Sequence, residues 1–329
     1  MSDLEGKGPV SLLHIHSDGN VRRRGALLRL ASLSSGRILF PLVVLIPTVA
    51  FYATFVYIPI FASIAMSFSN VDIFLNFQNA GLVGVGNYRK ALADPLTWTC
   101  LRNTFVFTIL TVPAGTLLAL ALAVLLNTIQ RGRILFRTFY FLPVVTSMVA
   151  VSLMWRWLYQ PRFGLLNVLI EAAGHLAGAE FPLPRWLEDP RLALVSIAIM
   201  STWKRLGFDT VILVAGLSGL PTEFLDAARI DGATRRQLFT KMTLPLLRPT
   251  LAFVLVTHTI SALQVFTQVF IMTDGGPLES TNTIVLHIYR RAFLDFLGGY
   301  TSTLAVILFV IILIVSLFQL RLYRTTWEY

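Results

Sequence analysis

Residues 226–245 read DAARIDGATRRQLFTKMTLP, and they lie between two long apolar runs at about 192–217 and 250–272. The segment combines charged residues with good helix formers, and it predicts two short helices that separate at Gly232. It is longer and more regular than a connection between two membrane spans needs to be. The segment therefore indicates a docking surface for a partner protein.

Four further apolar runs lie on either side, at about 40–66, 104–126, 138–158 and 302–320. A helix needs about 20 mostly apolar residues to cross a bilayer, so each run is of spanning length. The chain is 55% hydrophobic and only 13% charged, which is too little charge to cover the surface of a soluble protein of 329 residues. Because helices satisfy their own backbone inside lipid, the sequence predicts an all-α polytopic membrane protein with six transmembrane helices.

The net charge of +10 is distributed unevenly along this predicted topology. Segments 1–37, 127–137, 218–249 and 321–329 together carry a net charge of +9 and fall on one side of the membrane. An excess of lysine and arginine marks the cytoplasmic side of a membrane protein. Both termini are therefore predicted to be cytoplasmic, and the basic character does not indicate a nucleic-acid partner.

The spacing within the central segment is similar to a known signature. Three residues separate Asp226–Ala228 from Gly232, and nine more separate that glycine from Met242, which precedes Leu244–Pro245 by one residue. This resembles the EAA---G---------I-LP signature of the permease subunits of ATP-binding-cassette importers, with aspartate for glutamate and methionine for isoleucine. A second triplet, Glu171–Ala173, lacks the spaced glycine and the Leu-Pro pair.

Other stretches resemble the carbohydrate branch of that family, the permeases of the maltose-transporter type. They are Arg137–Pro143, Phe163–Asn167, Thr273–Pro277 and Thr281–Thr283. The resemblance implies the ABC type I importer permease fold, with a cytoplasmic coupling helix, in a bacterial inner membrane. The permeases that this sequence resembles include the kind that transports acidic oligosaccharides such as alginate.

The resemblance also implies a domain plan and a set of partners. Residues 1–37 would be a cytoplasmic tail with a possible interfacial helix, and 38–329 a six-helix permease domain whose segment 218–249 couples to an ATPase. The sequence has no GxxxxGK[ST] phosphate loop, so ATP and Mg would be bound by the partner ATPase and this chain is not an enzyme. The implied partners are a second related permease in a heterodimer, two ATPase subunits, and a periplasmic or lipid-anchored substrate-binding protein.

Two groups of residues take their expected roles from the resemblance. Contact with the ATPase is expected from Phe224, Asp226, Ala227, Ala228, Asp231, Gly232, Phe239, Leu244 and Pro245. Contact with the binding protein is expected from Gly275, Gly276 and Pro277.

The fifth apolar run carries a polar stripe. Thr257, Ser261, Gln264 and Gln268 recur at steps of four, three and four, which places them on one face of a continuous helix. Hydroxyl and amide groups both donate and accept hydrogen bonds, as sugar hydroxyls do. The stripe indicates a substrate pathway, and hydrogen bonding between helices is an equally open interpretation.

Three ionisable residues, Lys204, Arg205 and Asp209, interrupt the fourth apolar run. Ionisable groups are costly inside a membrane and often functional, so the two cations are candidates for attracting an anionic saccharide such as a uronate oligomer. Alternatively, Asp209 lies one helical turn from Arg205 and pairs with it as a structural element.

Other functions stay open at this point. A permease for glycerol phosphate, peptides or polyamines shares the central signature, and an ion-coupled secondary transporter is a more remote alternative because only Asp209 offers a buried acidic group. No pattern of catalytic residues or metal ligands is predicted.

Overall fold

The computed structural model describes residues 41–71, 81–128 and 133–323. The predicted tail 1–37 lies outside these ranges. The chain divides into two compact units, one ending at Ala62 and one beginning at Ser63. In the first unit the described residues are helical.

Helices make up most of the described residues, and the only β-structure among them is an isolated antiparallel bridge between Ser69 and Leu82. The helices are α1 (Pro41–Ser67), α2 (Gly86–Ala93), α3 (Pro95–Thr128), α4 (Arg133–Val145), α5 (Met148–Leu158), α6 (Leu165–Ala177), α7 (Ala193–Ser218), α8 (Thr222–Ile230), α9 (Arg235–Leu246), α10 (Arg248–Leu263), α11 (Thr267–Met272), α12 (Ile284–Phe293) and α13 (Gly298–Leu322). The all-α prediction is confirmed.

Three of these helices, α1, α3 and α13, are individually long and apolar enough to cross a membrane. Bent pairs raise the possible number of spans to six: α4 with α5 at 108°, α7 with α8 at 68°, and α9 with α10 at 64°. The predicted apolar runs therefore coincide with helices in the described residues, while the number of six spans stays a prediction.

Helix α3 begins with a capped first turn. Pro95 occupies the first helical position, where its missing N–H costs nothing, and the Leu96 amide donates to Asp94 Oδ1 at 2.9 Å. The Tyr300 hydroxyl of α13 donates to the other carboxylate oxygen at 3.0 Å. Burial alone would raise the pKa of Asp94, but these hydrogen bonds outweigh it and lower the pKa. Asp94 thus joins the start of α3 to α13.

The core of the second unit forms where α3 packs along α7. Small residues such as Ala119 and Ala123 are fully buried against Leu213 and Leu217, which lets the two helices approach closely. A second buried cluster contains Phe107, Val151, Ile197, Met200 and Val269. It packs α5 and α11 against α3 and α7. These contacts enclose a space between α3, α4, α5, α7, α10 and α11.

The break between α4 and α5 lies inside the third apolar run, which the sequence predicted as one span. Pro143 removes one backbone donor, and Ser147 adopts an extended conformation with ψ 139°. The carbonyl oxygens of Pro143 and Thr146 accept hydrogen bonds from Lys204 Nζ at 3.0 and 2.9 Å. Non-helical backbone is tolerated at membrane depth only when its polar groups are satisfied, and here the lysine supplies the donors.

The fifth apolar run is also interrupted, contrary to the prediction of one continuous helix over 250–272. Helix α10 ends at Leu263, and α11 begins at Thr267 after Phe266, whose φ and ψ are −141° and −65°. The Thr283 hydroxyl donates to the Val265 carbonyl at 3.1 Å and satisfies one acceptor that the break exposes. This contact comes from a residue 18 positions further along the chain.

Gly207 is the point where α7 crosses the backbone of α4. A Cβ atom at Gly207 would overlap the Tyr140 carbonyl oxygen and lie 2.7 Å from Val144 Cγ2. We expect Gly207→Ala to lower the free energy of unfolding by about 2–3 kcal/mol, because overpacking against backbone cannot be relieved by a rotamer change. The apparent melting temperature of the purified protein in detergent measures the effect.

Gly219→Ala is the matched control, since a Cβ there would meet only the Ala215 and Gly216 carbonyl oxygens at 3.5 and 3.7 Å. We expect this variant to have the same melting temperature as the wild type. Equal melting temperatures for the two variants would contradict the close crossing at Gly207.

Candidate functional site

The central segment folds as two capped helices, as the sequence predicted. Helix α8 is closed by Gly232, which has a φ of +83° that favours glycine. Its amide donates to the Arg229 carbonyl at 3.1 Å, and the Ala233 amide donates to the Ala228 carbonyl at 3.0 Å. This pair of bonds is a Schellman motif, so the chain turns sharply at the predicted glycine.

Helix α9 starts with a capping box. The Thr234 amide donates to Gln237 Oε1 at 2.8 Å, and the Gln237 amide donates to Thr234 Oγ1 at 3.4 Å. The helix widens into a π-helical stretch over Leu238–Thr243 before Pro245, which has no amide to donate. Both helix ends at the turn are therefore satisfied by groups of the segment itself.

The residues predicted to contact an ATPase differ in exposure. Phe224 is 47% exposed, and Asp226, Ala227, Asp231 and Gly232 are also exposed. The other four are half-buried: Ala228, Phe239, Leu244 and Pro245. The outer surface of α8 thus presents small, apolar and acidic groups together, while the end of α9 packs partly inward.

Ile230 extends this surface and was missed by the sequence prediction. Its side chain is 87% exposed at the last position of α8, beside the turn at Gly232. A signal was available, because Ile230 follows Phe224 and Ala227 at steps of three, which places the three side chains on one face of the helix. Ile230 therefore adds a large apolar group to the exposed face of α8.

A cavity of about 380 Å³ lies between the helices of the second unit. This volume is in the range of roughly 300–1,000 Å³ typical of small-molecule sites. Its lining is Phe107, Thr111, Val144, Met148, Ser201, Lys204, Arg205, Phe208, His258, Ser261, Ala262, Gln264, Val265, Phe266, Thr267 and Gln268. Both helix breaks border it, since Val144 and Met148 flank the first and Gln264–Phe266 form the second.

Three ionisable side chains meet beside this cavity. Asp209 is 1% exposed, with Oδ1 3.2 Å from Arg205 Nε and Oδ2 3.0 Å from His258 Nδ1. The guanidinium of Arg205 also donates to Ser261 Oγ at 3.1 Å and lies 5.4 Å from the centre of the Phe208 ring. The pairing of Arg205 with Asp209 that the sequence left open is present.

The structure divides the predicted polar stripe. Ser261, Gln264 and Gln268 line the cavity, whereas Thr257 does not and donates to the Phe253 carbonyl at 2.8 Å. Gln268 is buried and donates to Ser201 Oγ at 3.3 Å, so it holds α11 against α7. Gln264 is exposed to the cavity, and its side chain hydrogen-bonds to none of the described residues. The interhelical interpretation thus fits Gln268, and Gln264 is left as the amide available to a ligand.

Some cavity residues lay beyond the sequence prediction. Phe107 and Thr111 share a face of α3 at a spacing of four, which is a usable signal, but nothing in the sequence pairs that face with α10. His258 was not among the predicted site residues. Its partner Asp209 is 49 positions away in the chain, so only the fold brings them together.

The predicted binding-protein loop is a compact turn. The Gly276–Pro277 peptide bond is cis, and Thr281 Oγ1 donates to the Gly276 carbonyl at 2.7 Å. Arg290 of α12 lies 3.3 Å from Asp274 and 3.5 Å from Glu279 and ties the loop to the helix behind it. The role of Gly275, Gly276 and Pro277 in contact with a binding protein stays a prediction.

Bent apolar helices around a cavity with polar and charged lining residues, together with a capped helical segment, are typical of membrane transport proteins. The sequence profile of the family described as "Binding-protein-dependent transport system inner membrane component" matches residues 38–327, and the chain belongs to this family. The resemblance drawn from the sequence is therefore confirmed.

Individual relatives agree with this assignment. The chain is 34% identical over 284 residues to the probable ABC transporter permease protein YesP of Bacillus subtilis (strain 168), covering 85% of this chain and 88% of that protein. It is 34% identical over 274 residues to the lactose transport system permease protein LacF of Rhizobium radiobacter, covering 82% and 88%. These relatives are permeases, which are transport components rather than enzymes.

A solved structure shares the fold. A chain of a bacterial ABC transporter involved in the import of the acidic polysaccharide alginate superposes with a TM-score of 0.77 at 22% identity, over 91% of this chain and 100% of that chain. The ABC type I importer permease fold predicted from the sequence is thereby confirmed.

Proposed function

We propose that this chain is the transmembrane permease subunit of an ATP-driven importer that moves a carbohydrate into the cytoplasm by alternating access. The observation that carries the substrate class is Gln264, an amide exposed in the cavity beside the ring of Phe266. An amide matches the donors and acceptors of a sugar hydroxyl, and an aromatic face packs against the apolar face of a sugar ring. The lactose permease relative supports the same class.

The family and the central segment support a proposal for the assembly around the chain. A second related permease would complete the pathway as a heterodimer, two ATPase subunits would bind ATP and Mg, and a periplasmic or lipid-anchored binding protein would deliver the sugar. The exposed surface of α8, with Phe224, Ala227 and Ile230, is the proposed site of ATPase contact. The basic excess on 1–37 and 218–249 favours a bacterial inner-membrane topology with both termini in the cytoplasm.

The proposal is tested by sugar-stimulated ATP hydrolysis of the complete complex in lipid nanodiscs. We expect Gln264→Leu to raise the half-maximal sugar concentration about tenfold, which corresponds to the loss of one hydrogen bond to a ligand. Gln160→Leu is the matched control, because Gln160 follows α5 and does not line the cavity. We expect that variant to respond like the wild type.

Two results would contradict the proposal. If no sugar from a panel of neutral and acidic oligosaccharides stimulated hydrolysis, the carbohydrate assignment would fail. If uptake into proteoliposomes persisted without ATP, an ion-coupled mechanism would replace the ATP-driven one.

A further inference from the structure

The two cations of the cavity are in different electrostatic situations. Arg205 lies 3.2 Å from the Asp209 carboxylate, and two further donors of its guanidinium reach Ser261 Oγ at 3.1 Å and Thr257 Oγ1 at 3.4 Å. A buried carboxylate at this distance neutralises the guanidinium. Arg205 is therefore occupied by its own chain and leaves little charge for a ligand.

Lys204 has hydrogen-bond partners but no counter-charge. Its ammonium donates to the carbonyl oxygens of Pro143 and Thr146. No carboxylate among the described residues lies within 4.0 Å of it, although its side chain is half-buried and lines the cavity. Carbonyl dipoles stabilise the ammonium without cancelling its charge, so Lys204 leaves the cavity with an unpaired positive charge.

We infer that the transported carbohydrate carries an acidic substituent and that Lys204 is the residue that pairs with it. The inference rests on the proposed function and names its substrate class. An uncompensated cation at membrane depth is costly, and an anionic ligand removes that cost when it enters the cavity. The lysine ammonium has three donors, of which two are used, so one N–H is available to a carboxylate.

The site combines this charge with groups suited to the rest of the sugar. Ser261 and Gln264 line the same cavity as Lys204, and Phe266 adds an aromatic face. A uronate ring presents hydroxyls, an apolar face and one carboxylate, which correspond to these three kinds of group. A neutral sugar would leave the ammonium unpaired in the loaded state.

The experiment measures how strongly an acidic sugar stimulates ATP hydrolysis by the complete complex, with its binding protein at saturation. The probes are a uronate trisaccharide and the same trisaccharide with its carboxyl groups reduced to alcohols. Lys204→Gln removes the charge but keeps N–H donors for the broken helix, and Lys204→Arg keeps the charge. Lys90→Gln is the matched control, because Lys90 is exposed on α2 away from the cavity.

We expect Lys204→Gln to raise the half-maximal uronate concentration roughly tenfold to a hundredfold, as for the loss of a charge-assisted hydrogen bond. Lys204→Arg and Lys90→Gln should stay within about threefold of the wild type, a small change on the same logarithmic scale. Because the binding protein is identical in every sample, its own selectivity cancels from the comparison. Nanodiscs of zwitterionic lipid exclude an anionic headgroup as the partner of Lys204.

Several outcomes would overturn the inference. An unchanged uronate response in Lys204→Gln would mean that another group, such as a carboxylate of the second permease, pairs with the lysine. If the reduced trisaccharide alone stimulated the wild type, the proposed carbohydrate importer would be retained and the inference of an acidic substrate would be rejected. An effect of Lys204→Gln seen only in anionic lipid would assign the charge to a headgroup. No response to any sugar would remove the proposed function as well.

Discussion

Asp209→Leu is expected to lower the free energy of unfolding by about 3 kcal/mol, because removing one partner of a buried ion pair leaves the other charge uncompensated. The Asp209 side chain is 1% exposed, and that of Arg205 is 20% exposed toward the cavity. This partial exposure places the expected cost at the lower end of the range of about 3–5 kcal/mol for such changes. Intrinsic tryptophan fluorescence during thermal unfolding in detergent measures the shift.

The double variant Arg205→Met, Asp209→Leu separates the charge from the packing. Replacing both members of a buried ion pair with apolar residues of similar size is often neutral, so we expect the double variant to recover part of the lost stability, while His258 still lacks its partner Asp209. If the double variant melted at or below the temperature of Asp209→Leu, the pair would not be the source of the effect.

Ala227→Arg is expected to abolish sugar-stimulated ATP hydrolysis and to weaken association with the ATPase by about a hundredfold or more, equivalent to roughly 2.7 kcal/mol. Ala227 is exposed on α8, so the longer side chain leaves the fold of this chain intact. A groove that accepts a methyl group has no room for a charged guanidinium, which makes the substitution a block to docking. Co-purification with the ATPase and the rate of hydrolysis measure the two effects.

Ala172→Arg is the control for this prediction. Ala172 belongs to the second acidic-Ala-Ala triplet, lies on helix α6 and is also exposed, so residue type, charge change and helical context are matched. We expect this variant to hydrolyse ATP like the wild type. Similar losses in both variants would indicate damage to the permease itself.

The sequence predicted features that depend on neighbouring residues. Helix α7 begins and ends within one residue of the predicted run 192–217, because hydrophobicity over some 20 residues is a local property. The turn at Gly232 and the capping box at Thr234 were likewise predictable, since each is closed by groups at most five positions apart.

Features that depend on distant residues were not predictable. The break at Gln264–Phe266 contains neither glycine nor proline, and one of its freed carbonyls is satisfied by Thr283. The approach of His258 to Asp209 requires α7 and α10 to pack side by side. The break and His258 both border the cavity, and only part of the predicted polar stripe lines it.

Lys204 contributes both to the backbone structure and to the inferred substrate specificity. Its ammonium donates hydrogen bonds to two backbone carbonyl oxygens at the break between α4 and α5, and it is also the unpaired positive charge of the cavity. A mutational path from acidic to neutral cargo would therefore have to replace two hydrogen bonds in the same step that removes the charge. Mutations that adapt the permease to a new sugar would be tolerated more easily at Gln264, whose side chain hydrogen-bonds to none of the described residues. Within a lineage of such permeases, the choice between acidic and neutral cargo should change rarely, and preferences among sugars of one charge should change often.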